Sequence, residues 1–453
     1  SKRRLPAGLH LRREYQHQCQ LPDQSRVHFP SERHGCPDNV RGRLACVLAQ
    51  ETASVGGGES FDGRAGRSGP RLGGQPSQSA RRLRDGAHLS KFMKILFLGE
   101  ISPGQTSLMR MRALKRLGQE VAGVHTIEPW QRASWLQRQV QRRIRRGSIV
   151  DEINRQVLQA ARDFRPSLVW AEKQEYLRRD TLEAMRAMGA RLVHFTPDPY
   201  FSLDWKRTPL MDDSIAAFDV LVYCKKYERV QYEALGRPLV YMPLGYCDEV
   251  HRPLPSDDPR WACDVGFLGG WEPRREQLLH AVAAAGVRIK IWGGAWDFLR
   301  DGHWTPRRQI VLSQLAGKDR FRYHRDPMIA ASHQGGEVYA DDYARALSGA
   351  RIGLGFLRRV CDDQHTTRTF EIPACGSMLL ADRTGEHCDF FKEGKEAEFF
   401  SSESELLDKL DFYLANEPAR ARVAAAGLER CRAGKYAYIH RMADALADVE
   451  KAL

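Results

Sequence analysis

The side chains that could do chemistry crowd into one stretch, Thr366-Thr367-Arg368-Thr369-Phe370-Glu371-Ile372-Pro373-Ala374-Cys375-Gly376-Ser377. Glu371 falls at a predicted helix start just past a loop, where a buried carboxylate can accept hydrogen bonds from two hydroxyls. Such charge-assisted bonds are about twice as strong as neutral ones. Arg368, with Arg274 or Arg275, supplies guanidinium groups suited to a diphosphate. Gly269 and Gly270 follow a predicted strand and precede a predicted helix, so their backbone N–H groups could face an anion at a helix N-terminus. Each feature has a plainer use. Glycine pairs serve ordinary turns, Arg275 fits a solvated helix face, and Glu371 could be a helix cap or a surface acid.

A second group lies earlier, in His194-Phe195-Thr196-Pro197-Asp198-Pro199-Tyr200. Here a predicted strand runs out into a proline-flanked acid. Asp198 or His194 could take the proton from an attacking hydroxyl; equally, they could be a turn-forming Asp-Pro and a core-edge histidine. Glu100, just after the first predicted strand, stands in the same kind of place.

The elements that must position these residues alternate. Apolar runs read as strands buried on both faces at Ile95–Leu98, Val121–Val124, Leu168–Ala171, Leu192–Phe195, Val220–Tyr223 and Leu239–Met242. Helix-period segments stand between them: Leu108, Met111, Leu114 and Leu117 recur every three residues, with Thr106 or Ser107 as cap and Gly118 as stop. The pattern breaks at Pro243–Asp248 and the proline-rich 253–259, then restarts with strands at Cys263–Leu268, Val287–Trp292, Ile352–Phe356, Ser377–Ala381 and Ala397–Phe400. Helices are predicted over Arg275–Ala284 and Glu403–Leu414. Strands spaced by helices imply parallel βαβ units, and ligands then bind at the carboxyl ends of the strands. The expectation is an α/β protein of two Rossmann-like, doubly wound domains facing a cleft. Residues 93–248 and 260–430 form the domains, and 431–453 a closing helix packs near the boundary.

The chain has 453 residues, 42% of them apolar and 28% charged, enough for real cores, with a formal net charge of +13. That excess is uneven: residues 1–92 hold 16 Lys and Arg against 8 Asp and Glu. This segment lacks periodicity and reads as a disordered basic extension, with a nucleic-acid or lipid-binding arm as the other possibility. The first methionine is Met93, so 1–92 could also be sequence upstream of a natural start. No run approaches the ~20 apolar residues of a membrane span, and the ten cysteines contain no Cys-x-x-Cys pair. A cytoplasmic location is expected. The acidic pairs Asp212-Asp213, Asp257-Asp258 and Asp341-Asp342 sit in turn or helix-start contexts, so no metal site is expected.

Between Trp130 and Gly147 there are six arginines and no acid, with Trp130, Trp135, Leu136, Val140 and Ile144 roughly on one helix face. A basic amphipathic helix of this kind can lie on an anionic membrane, at the inner face of the membrane; it can also pack on the sheet with a solvated basic face.

Taken jointly, several segments resemble group 1 glycosyltransferases, particularly their spore-maturation-protein-like branch. They are Asp342–Phe356, Phe370–Gly376, Pro243-Leu244-Gly245 with Asp248 and Pro253, Val265–Gly270 with Arg274 and Arg275, and Tyr438, His440 and Arg441. The resemblance covers most of 93–453, best over 263–442. It implies the GT-B architecture and a nucleotide diphosphate-sugar donor held by residues 263–400. It also implies a glycan, lipid-linked or protein acceptor held by 93–245. By the same resemblance Glu371 holds the ribose hydroxyls of the donor nucleotide, Gly376 belongs to the donor segment, and Asp363 takes the place of an acid usually separated from the Glu by seven residues. Asp363 is shorter than the Glu of that pattern, and both retaining and inverting courses stay open. The family's handling of the leaving diphosphate by positive side chains and helix dipoles implies no cofactor and no obligatory metal. A nucleotide-sugar epimerase on the same fold and a non-catalytic binding or coat component are the alternatives; a nucleic-acid partner is not expected.

Overall fold

The computed structural model describes residues 92–203, 207–296 and 326–453. The expected extension over 1–92 therefore lies outside the described residues, except for its last position. From Phe92 on, strands and helices alternate in two sets. The first sheet contains β1 (Lys94–Gly99), β2 (Glu120–His125), β3 (Leu168–Glu172), β4 (Arg191–Thr196), β5 (Val220–Tyr223) and β6 (Leu239–Tyr241). Its order is β2-β1-β3-β4-β5-β6 and every pairing is parallel. The second sheet contains β7 (Cys263–Leu268), β8 (Ile289–Trp292), β9 (Ala350–Gly355), β10 (Met378–Asp382) and β11 (Glu398–Phe400), ordered β11-β10-β9-β7-β8 and again all parallel.

The sequence explains why these sheets are parallel and central. Every side chain of β3 and of β10 is buried, as a strand covered by helices on both faces requires. Ile95 sits opposite Leu168 and Leu96 opposite Val169, so apolar residues of neighbouring strands fill both faces of the sheet. In each sheet the strand order reverses once, between β1 and β3 and between β7 and β9. Those are the switch points at whose carboxyl ends a crevice opens.

The last helix, Tyr438–Ala452, leaves the second domain and packs against the Thr106–Arg116 helix and strands β5 and β6 of the first. The crossing is locked by backbone bonds: Tyr246 N–H donates to the Tyr436 carbonyl at 3.3 Å and Tyr438 N–H to the Tyr246 carbonyl at 2.7 Å. Gly245 permits this approach, because a Cβ there would overlap the Tyr436 carbonyl oxygen. Arg116 clamps the linker as well, donating two bonds of 2.7 Å to the carboxylate of Asp248.

Two local expectations are corrected. The Thr106–Arg116 helix is not capped by Thr106 or Ser107: Gln105 holds the cap position without a side-chain bond, and the Thr106 hydroxyl accepts from Arg110 Nη2 at 3.2 Å. The basic segment after Trp130 is two helices, Glu128–Arg132 and Trp135–Ile144, instead of one. Ser134 starts the second with a capping box closed by Gln137, a stop-and-restart signal stronger than the continuous apolar stripe. Trp130 thereby turns inward and packs on Tyr176, 4.8 Å between ring centres, away from the other four apolar residues. Among the described residues, no helix is long and apolar enough to cross a membrane.

Candidate active site between the two sheets

The carboxyl edges of the two sheets enclose a pair of adjoining cavities, of about 240 and about 220 Å³. Thr106, Leu268, Gly269, Gly270 and Arg368 line both, so they form the wall between them. Each comes from a place the strand-end rule selects: the loop after β1, the turn after β7, and the helix Arg368–Ala374 before β10.

Glu371 lines the first cavity and is 2% exposed. Its Oε2 accepts from the Tyr343 hydroxyl at 2.5 Å and from Arg368 Nη1 at 3.1 Å. Its Oε1 faces His251 Nε2 at 3.6 Å, outside hydrogen-bond range. His251 Nδ1 accepts the Cys247 backbone N–H at 2.9 Å, so the ring carries its proton on Nε2, facing Glu371. Burial alone would push the Glu371 carboxyl up, but Arg368, His251 and the Tyr343 hydroxyl outweigh it and hold the group below its ordinary 4.5. Burial also lowers His251, which keeps that ring neutral. The outcome is an ionised carboxylate with one oxygen anchored and the other open to the cavity.

Arg368 is fixed at three points, donating from Nε to the Leu268 carbonyl (3.0 Å) and from Nη1 to Thr367 Oγ1 (3.0 Å) and Glu371. Its guanidinium also lies over the Tyr343 ring, 5.3 Å from the centre. A cation held this firmly on the dividing wall suits a doubly charged phosphate bridging the two cavities.

Arg275 lines the second cavity. It donates from Nη1 to the Gly270 carbonyl at 2.8 Å and from Nη2 to the Phe356 carbonyl at 3.4 Å, tying together the loops after β7 and β9. Its Nε has no hydrogen-bond partner among the described residues, and burial lowers its pKa. The reading of Arg275 as a solvated helix-face residue therefore fails: the side chain spans the switch point.

Arg274 points elsewhere. It grips both carboxylate oxygens of Asp382, which also accepts the Leu357 N–H at 2.8 Å, and it lines neither cavity. Gly269 corrects the expected anion nest, since its N–H donates to the Trp292 carbonyl at 2.9 Å. The helix behind it begins with Pro273, which has no N–H to offer. Both glycines still line the wall, where the Gly269 backbone also comes close enough to Gly293 to exclude a Cβ there. Gly376 lies outside both cavities; at φ +83° it ends the Arg368–Ala374 helix and turns the chain into β10, a conformation that favours glycine. Glu100 also lines neither cavity; the loop after β1 contributes Gly104, Gln105 and Thr106 instead.

The second cavity gathers two acids with a lysine each. Asp198 Oδ2 lies 3.1 Å from Lys173 Nζ. Asp363 Oδ1 lies 2.5 Å from Lys225 Nζ, and both of these side chains are buried. Burial alone would lower the Lys225 ammonium, but Cys224 and Asp363 raise it above its ordinary value. Asp363 and Glu371 thus face different cavities on either side of Arg368. His194 is buried in β4 against Phe218, 5.0 Å between ring centres. Neither ring nitrogen has a hydrogen-bond partner among the described residues, and burial pushes its pKa down to about 3. It borders a void of about 20 Å³ that Asp198 also lines.

Sequence reasoning missed Tyr343, His251, Lys173, Lys225 and Arg358, all cavity-lining. Lys173 comes one residue after β3 and Lys225 two residues after β5, so the strand-end rule applied to every strand would have found them. Tyr343 and His251 carry no such signal.

Residues 274–447 match the protein family described as "Glycosyl transferase-like". No curated protein matches the chain. Among solved structures, HepE from Anabaena in complex with UDP-glucose is 12% identical, covering 80% of this chain and all of its own, with a TM-score of 0.51. A UDP-forming α,α-trehalose-phosphate synthase from Burkholderia xenovorans is 11% identical over 80% of this chain and 99% of its own, TM-score 0.52. Sucrose-phosphate synthase from Thermosynechococcus elongatus is 11% identical over 79% of this chain and 98% of its own, TM-score 0.51. At these identities the likeness is one of fold. The chain has the two-domain GT-B fold, and its carboxy-terminal domain carries the glycosyl transferase-like match.

Proposed function

We propose that this protein transfers a glycosyl group from a nucleoside diphosphate-sugar to an acceptor hydroxyl, in the manner of the spore-maturation-protein-like branch. The observation that carries this reading is Glu371: a buried, ionised carboxylate with one oxygen open to a cavity at the β7/β9 switch point, beside a fixed arginine. Donor hydroxyls would meet Glu371 Oε1, and the diphosphate would lie against Arg368, with Arg275 and Arg358 in the second cavity. The neighbouring structures whose names include UDP or UDP-glucose support a nucleotide-sugar donor for this fold.

In the reaction the acceptor oxygen bonds to the anomeric carbon as the bond to the phosphate oxygen breaks. The electron pair leaves on the diphosphate, and the fixed guanidinium of Arg368 is already in place to receive that charge. In an inverting course the hydroxyl proton passes to Asp198; in a retaining course it passes to the departing phosphate, and Asp198 with Lys173 positions the acceptor. Asp363, paired with Lys225, shapes the floor of the acceptor side. His194 is neutral and walled off, a core residue in this reading.

A thermal-shift panel of nucleoside diphosphates and their sugars tests the assignment. A ligand at a hundred times its Kd stabilises the native state by about 2.7 kcal/mol. The wild-type protein should shift with at least one nucleoside diphosphate, and Glu371→Ala should lose the shift for its sugar. A folded wild-type protein that responds to none of them would refute the proposal.

A further inference from the structure

The Trp135–Ile144 helix is inside out. A surface helix normally turns its apolar face to the core, yet here Trp135, Leu136, Val140 and Ile144 are 67, 64, 47 and 56% exposed. Among the described side chains of the helix, the buried one is Gln141. Its amide is pinned on both sides, accepting the Ile149 N–H at 2.8 Å and donating to Ser148 Oγ at 3.1 Å, so the orientation is held by specific bonds. At its borders lie Arg142, over the Trp130 ring at 5.7 Å, and Arg146, just past the helix end; both are exposed and neither has an ion pair among the described residues, while Arg138 stands on the opposite side of the helix, one turn before Gln141. No acid occurs between Trp130 and Gly147.

We infer that this helix lies in the interfacial layer of an anionic bilayer, with Leu136, Val140 and Ile144 among the upper acyl chains and the arginines at the headgroups. Apolar side chains flanked by exposed, unpaired cations, with a tryptophan at one end, match that layer in both hydrophobicity and charge. The basic segment before Met93 would be repelled by the same arginines. The placement also has a use. Arg145, at the end of the helix, donates to the Tyr176 hydroxyl at 2.6 Å and pairs with Glu175 at 3.5 Å, in the loop after β3 that carries Lys173. The membrane-facing helix is thereby tied to the edge of the first sheet where Asp198 lies.

Flotation of the full chain with vesicles tests this. The protein should rise with phosphatidylcholine vesicles containing phosphatidylglycerol and stay behind with phosphatidylcholine alone. Arg142→Gln with Arg146→Gln should weaken the partition roughly 30-fold, and Leu136→Ser with Ile144→Ser more than tenfold. Brominated lipids should quench the wild-type tryptophan fluorescence, and Trp135→Phe should remove the quenched component; this readout stands even if a double variant folds poorly. Failure of the wild-type protein to float overturns the inference. So does flotation that both double variants leave intact, which would assign binding to another part of the chain. Nucleotide binding is read separately and does not bear on this result.

Discussion

The ion pair between Lys225 and Asp363 offers the sharpest test of how the two domains are joined. Lys225 follows β5 in the first domain, and Asp363 lies in the loop after β9 in the second. Their charged atoms are 2.5 Å apart and both side chains are about 95% removed from solvent, being 5 and 6% exposed. Asp363→Asn would leave the buried ammonium without its counter-charge, facing only neutral acceptors, the new amide oxygen and the His365 carbonyl at 3.4 Å. Removing one member of a buried pair costs about 3–5 kcal/mol, while replacing both with apolar residues of similar size is often close to neutral. Screening by water reduces the figure little, because the two side chains are only 5 and 6% exposed. Urea unfolding at neutral pH should therefore show Asp363→Asn destabilised by about 3–5 kcal/mol. The double variant Lys225→Met with Asp363→Leu should return most of that loss. The same single variant frees a cation beside the second cavity, so its affinity for a nucleoside diphosphate should rise as its stability falls. A cost below about 1 kcal/mol for Asp363→Asn, the size of an exposed pair, would refute the picture of a sealed interdomain contact.

Three further outcomes follow from the geometry. His194→Phe should keep the fold and reduce the loss of stability on acidification. The folded pKa of His194, about 3, lies below its ordinary 6.5, so the unfolded chain takes up the proton first and stability falls as pH drops from 6.5 towards 3. Loss of turnover in that variant with donor binding intact would instead make His194 the base. Gly245→Ala should lower stability by about 1–3 kcal/mol, as overpacking does, and expose the Tyr438–Ala452 helix to protease; an unchanged melting curve would contradict the close crossing at Tyr436. Turnover should survive EDTA, since Arg368 stands where the leaving diphosphate's charge develops; loss of activity restored by Mg²⁺ would overturn that expectation.

Much of this protein was already written in its order of residues. Apolar runs such as Ile95–Leu98 and Cys263–Leu268 marked parallel strands because a strand covered on both faces has no polar side to show. The break at Pro243–Pro259 falls between β6 and β7, the last strand of one sheet and the first of the other. Glu371 and Arg368 stood out because a carboxylate suits hydroxyls and a guanidinium suits a diphosphate.

What the order of residues left open was how side chains from distant segments compete for the same partner. Arg274 and Arg275 are neighbours, yet one is captured by Asp382 and the other spans Gly270 and Phe356. The N–H of Gly269 was taken by Trp292, and Asp363 was claimed by Lys225 from the other domain. Trp130 turned inward while Trp135 stayed out, because a serine cap between them restarted the helix at a new angle. Local periodicity and propensity act over a few residues and are visible in the chain. Hydrogen-bond partners, burial and the charge state of Glu371 depend on groups up to about 120 residues away, and only the folded packing brings those groups within reach.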